Sequence, residues 1–187
     1  MMQKYIPLLL FVALVGCKTT VDPVKVHIAT SIEPYRFFIQ QVTGPTMPVL
    51  VMIPSGANHA TYEPLPKQMV ELESVKLYFM NGHLGFEKAW GSKIQNNYPN
   101  IDFVDLSANL NLLASDHSHG PHESDHGADP HYWMSPRTVK SFMPNILENL
   151  ISTFPGKEDI FRANYKKFIS QLDSLDILIG RKTKTTR

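Results

Sequence analysis

Five of the eight histidines in this chain of 187 residues crowd into SDHSHGPHESDHGADPHYW, residues 115–133: His117, His119, His122, His126 and His131. Neutral imidazole ligates Zn²⁺, Cu²⁺ and Ni²⁺, whereas Mg²⁺, Ca²⁺ and Mn²⁺ favour oxygen donors. Four imidazoles between residues 117 and 126, among Gly, Ser, Asp and Pro, could wrap a borderline metal without a preformed cage. The same composition also describes a solvated loop with no regular structure. His131 differs from the other four. In ADPHYWMSPRTV, Pro130 stiffens the approach, Tyr132 and Trp133 can pack beneath, and Ser135-Pro136 reads as the N-cap and first residue of a helix. His131 is therefore expected to be held in place.

The elements that would position these side chains follow from hydrophobic patterning. VKVHIATS, MPVLVMIP, VKLYFMNG and IDFVDLS are short, nearly continuous apolar runs, as strands covered on both faces require. Between them SIEPYRFFIQQV, with Ser31 as N-cap candidate, PLPKQMVELES and GFEKAWGSKIQNNY read as helices. The order βαβαβαβ predicts an α/β fold with a parallel four-stranded sheet flanked by helices. Ligands of such sheets gather beyond the carboxyl ends of the strands. Three of the four segments leaving those ends carry histidine: His59 in PSGANHATYEP, His83 in NGHLGFE, and the loop leading to His131. His27 lies within the first apolar run and reads as a packed or edge residue. Glu33 and Glu63 are weaker candidates, because carboxylates in such loops commonly cap helices.

Residues 1–16 read as an export signal, with Lys4 ahead of the apolar run IPLLLFVALV, which is too short to span a bilayer. The run ends at Leu14-Val15-Gly16-Cys17, which resembles the bacterial lipobox. Cys17, the one cysteine, is thus expected to carry a lipid that anchors the chain to the membrane through a tether over residues 17–23. Eighteen basic side chains balance seventeen acidic ones, which argues against an electrostatic nucleic-acid binder.

PSGANHATYEPLPKQM, NGHLGFEKAW and the histidine-rich loop running into DPHYWMSP together resemble the metal-specific solute-binding proteins of bacterial ABC importers, the zinc and manganese cluster. The likeness spans nearly all of residues 24–180. It implies two α/β lobes joined by one long helix, a metal held between them, and His131 as a ligand. The family's first ligand normally follows proline in G-x-[DN]-P-H-x-[YF]-E-P. Here Ala60 takes that position and His59 stands one residue earlier. Either the loop bulges so that His59 reaches the metal, or another group such as His83 replaces it.

The expected organisation is a lobe over residues 24–155, with its histidine-rich loop at 115–129, and the start of the connecting helix over 156–187, without a second lobe. That helix carries apolar residues at 161, 165, 168, 172, 175 and 179, and the basic segment GRKTKTTR after it shows no apolar pattern and reads as frayed. The function this implies is capture of Zn²⁺ as cargo by a monomer in the cell envelope and its delivery to an ABC importer permease, with His59, His83 and His131 as metal ligands. His117, His119, His122 and His126 would be auxiliary ligands. A truncated zinc scavenger or metallochaperone is the alternative. A zinc hydrolase is disfavoured, since it needs a general base beside bound water and no HExxH is present.

Overall fold

The computed structural model describes residues 25–112 and 128–184. Strands β1 (Ile28–Ile32), β2 (Val49–Ile53), β3 (Leu77–Met80) and β4 (Asp102–Asp105) alternate with helices α1 (Glu33–Thr43), α2 (Pro66–Leu72) and α3 (Gly85–Asn97). A short 3₁₀ turn, Tyr132–Met134, then leads to α4 (Pro136–Thr153), and a second, Pro155–Lys157, to α5 (Glu158–Lys184). The strands pair in parallel in the order β2-β1-β3-β4. Winding reverses between β1 and β3, so a crevice opens at the carboxyl ends of those two strands.

Two-residue periodicity sends neighbouring side chains to opposite faces, and both faces are covered. Ile28, Leu77 and Phe79 pack against α1, α4 and α5, whereas Ala29, Met52 and Tyr78 pack against α2 and α3. Strands buried on both sides have to be apolar throughout, which explains why the four runs are continuous rather than alternating. Phe142 of α4 sits at the centre of the larger cluster, its ring centroid 5.8 Å from Tyr35, 5.5 Å from Phe38 and 6.0 Å from Tyr132.

Three local expectations change. Ser31 is not an N-cap: α1 begins after Ile32 with no side-chain cap, its first turn fixed instead by Pro34. The Ser31 hydroxyl is buried against Tyr78 and Glu87, a tertiary demand that outweighs the local one. His27 falls just before β1, where its Nδ1 lies 3.0 Å from the Ser74 carbonyl oxygen. The basic segment after Ile179 is helical as far as Lys184, where Arg181, Lys182 and Lys184 complement the negative end of the α5 dipole. Ser135 does cap α4, its hydroxyl accepting from the Thr138 N–H at 3.4 Å. Of the α5 stripe, Phe161, Phe168 and Leu172 are buried, while Leu175 and Ile179 stay 43% and 41% exposed.

Truncating a fully buried aromatic ring leaves a cavity that its neighbours fill only in part. Phe142→Ala should cost about 3–5 kcal/mol of unfolding free energy in urea melts. Phe37→Ala, at a side chain 53% exposed on the same side of the sheet, should cost far less.

Candidate metal centre

The floor of the crevice is polar and tightly bonded. Glu87, in the first turn of α3, accepts hydrogen bonds from the backbone N–H groups of Asn81 and Gly82, both at 2.7 Å, and from the Ser31 hydroxyl. Burial raises its carboxyl above the ordinary value of 4.5, against the pull of these donors. Gly82 has φ +91, and a Cβ there would fall 2.3 Å from the Ser107 hydroxyl, so the turn accepts only glycine. Asn81 is fully buried. Its side-chain amide donates to the Tyr35 hydroxyl at 2.6 Å and to the Pro130 carbonyl at 2.9 Å, while its own backbone carbonyl accepts from the Tyr132 hydroxyl at 2.7 Å. Through Asn81, the end of β3 grips the segment that carries His131. Burial pushes the hydroxyls of Tyr35, Tyr78 and Tyr132 far above the ordinary tyrosine value, so they stay protonated as donors.

His59 is positioned by its backbone. The loop after β2 is a run of tight turns in which Ala57 N–H donates to the Pro54 carbonyl and Ala60 N–H to the Asn58 side chain at 2.8 Å. The His59 carbonyl accepts from the Phe86 N–H at 2.8 Å, which ties the loop to the start of α3. Gly85 permits this approach: a Cβ there would lie 2.9 Å from the Ala60 Cα. His59 Nδ1 is shut away from solvent and has no hydrogen-bond partner among the described residues.

His131 meets His59 across the crevice, with ring centroids 6.0 Å apart and planes inclined at 72°. Both rings line a cleft of about 200 Å³, together with Glu33, Ser55, Gly56 and Trp133. Metal–nitrogen bonds of about 2.0–2.1 Å would put two imidazoles sharing one ion roughly 5–6 Å apart between centroids, close to the spacing seen. The turns at Asn58 and the tie at Phe86 bring His59 to the crevice although it stands one residue early.

The remaining candidates are placed elsewhere. His83 is half-buried with its N–H donating to Asn81 Oδ1 at 3.1 Å, and it is absent from the cleft lining, which Leu84 joins instead. Glu33 reaches the cleft but is paired with Arg36. Glu63 is exposed and outside the lining. Among the described residues no group of three or more His, Cys, Asp or Glu side chains converges. His117, His119, His122, His126 and Cys17 lie outside the described residues.

A parallel α/β lobe with two histidines brought together beyond its strand ends defines a class, the α/β ligand-binding lobe. Within it, the chain belongs to the periplasmic zinc-uptake complex component A (ZnuA) family, which it matches over residues 28–187. A Chlamydia trachomatis protein is 31% identical over 168 residues, covering 86% of this chain and 55% of its own length. The manganese-binding lipoprotein MntA of Halalkalibacterium halodurans is 25% identical over 158 residues, covering 84% of this chain and 50% of its own. A crystal structure of a zinc-bound ZnuA deletion mutant superposes with a TM-score of 0.74 at 29% identity, covering 83% of this chain and 57% of that one. The chain spans about half the length of these relatives.

Gly85→Ala should push the Ala60 backbone away, widen the gap between His59 and His131, and weaken Zn²⁺ binding measured by competition titration while the thermal melt stays cooperative. For Glu87, the raised carboxyl means that the folded chain keeps a proton the unfolded chain has already released. That contribution to stability is complete below pH 4.5 and is lost as pH rises to the raised value. Glu87→Gln should flatten this fall in urea midpoints above pH 4.5 relative to the parent chain.

Proposed function

We propose that this chain captures Zn²⁺ as cargo outside the cytoplasm, between His59 and His131, and passes it to an ABC importer. The observation that carries this reading is the approach of the two imidazoles at the carboxyl end of a parallel sheet, with one ring nitrogen buried and, among the described residues, unpartnered. Membership of a zinc-uptake family supports it, as does the zinc-bound relative of the same fold. Relatives named for zinc and for manganese both occur. Imidazole donors favour the softer ion, because Mn²⁺ sites are built mainly from carboxylate, carbonyl and water oxygen. The task is capture and release rather than catalysis, and Glu33, the carboxylate that lines the cleft, is paired with Arg36.

Around this centre, His117, His119, His122 and His126 act as auxiliary imidazoles that gather zinc with lower affinity than the His59–His131 pair. His83 stands apart from the pair. Cys17 is the proposed lipid attachment point, residues 1–16 the export signal and residues 17–23 the tether. No described helix is long and apolar enough to cross a membrane, so the lipid would hold the chain at the envelope surface.

Isothermal titration tests the assignment. Zn²⁺ should bind more tightly than Mn²⁺. His59→Ala and His131→Ala should each remove the tighter zinc equivalent, and deletion of residues 116–127 should remove only the weaker ones. Tighter binding of Mn²⁺, or loss of all zinc with the loop alone, contradicts the reading.

A further inference from the structure

We infer that Asp129 is a positioning residue for the metal centre: it fixes the tautomer and direction of the His131 ring so that Nε2 is the nitrogen presented to the ion. This inference rests on the zinc reading of the His59–His131 pair. Asp129 Oδ1 lies 2.9 Å from the backbone nitrogen of His131 and 2.8 Å from its Nδ1. A carboxylate oxygen accepts and does not donate. Nδ1 therefore carries the hydrogen in this pairing, and the lone pair is left on Nε2.

Packing alone would not hold this ring. The side chain of His131 is 50% exposed, so without a bonded partner it could turn about its own axis and exchange its hydrogen between the two nitrogens. The backbone beneath it is rigid, because Pro130 offers its carbonyl to the buried Asn81 amide and the neighbouring Tyr132 hydroxyl bonds the Asn81 carbonyl. Asp129 transmits that rigidity to the imidazole. His59 is fixed differently, by the bond from Phe86 N–H to its carbonyl, and its own Nδ1 has no such partner. The two ligands thus have unequal support, one from a carboxylate and one from the main chain. A carboxylate behind a ligating imidazole also places negative charge near the cation. Sequence inspection gives Asp129 no role beyond its place in the DPH motif, since the bond depends on the turn at Pro130.

The test compares Asp129→Ala, Asp129→Asn and His131→Ala in the full chain with Zn²⁺ as probe. Asp129→Ala should weaken the tighter equivalent roughly 10- to 100-fold, and Asp129→Asn less, because its side-chain oxygen still accepts. Long-range ¹⁵N NMR on the metal-free protein should find His131 protonated on Nδ1 in the parent chain and in Asp129→Asn, and a mixture of tautomers in Asp129→Ala. A merely structural role would not move that signature. If His131→Ala leaves zinc binding intact, the metal reading itself falls. If His131→Ala weakens binding while Asp129→Ala keeps both affinity and tautomer, the positioning role alone is overturned. Weaker zinc with an unchanged tautomer also overturns it, by making Asp129 a direct ligand.

Discussion

A buried amide has to use all its hydrogen-bonding groups, and Asn81 does so by reaching five parts of the chain at once. Its N–H goes to Glu87, its side-chain oxygen to His83 N–H, its side-chain NH₂ to Tyr35 and Pro130, and its carbonyl to Tyr132. Leaving any of these unmet in the interior would cost about 1–3 kcal/mol, so the partners are held to one arrangement. The crevice inherits its shape from that demand. Pro130 and Tyr132 flank His131, and Glu87 anchors the turn whose far side, at Gly85 and Phe86, receives the His59 loop. Both histidines therefore report to one polar knot at the end of β3.

The knot also shows why the pair is built on loops yet is not loose. The turns around Asn58, the tie at Phe86 and the bond at Asp129 each remove one freedom, and together they leave the rings facing at 6.0 Å. With Ala60 at the position of the family's histidine, backbone contacts rather than the local motif decide where the His59 side chain emerges. His83 shows the converse. It leaves the expected strand, but the Gly82 turn and its own N–H bond to Asn81 go with a position outside the cleft.

Much of this was legible in the residues alone, and the physical reason is periodicity. Double-faced burial writes itself into the sequence as apolar runs, so the four strands, the three intervening helices, the helix after Ser135 and the parallel order could be read directly. Pairing of His59 with His131 could be narrowed to the strand ends but not resolved, since it depends on a contact between Gly85 and Ala60 across 25 positions. Ser31 looks like a cap in its sequence context, while its actual partners, Tyr78 and Glu87, are far along the chain. Glu87 and Asn81 carry no local signal, and Asp129 has only its place in the DPH motif. An acidic or amide side chain looks like surface until the fold encloses it.

The two faces of the sheet draw on different stretches of the chain, and this imposes an order on synthesis. The core between the sheet and α2 and α3 uses residues 29–101, so it can close as soon as that length has emerged. The opposite core needs side chains as late as Leu172, and a bond from Asn164 to the Val42 carbonyl spans 122 positions. Until α4 and α5 arrive, Ile28, Leu77 and Phe79 have only α1 to cover them. Contacts of such long sequence separation slow folding and leave apolar surface open to association in the meantime. A nascent chain of this kind is half a protein for most of its making, and the unfinished half is the one that carries the larger core.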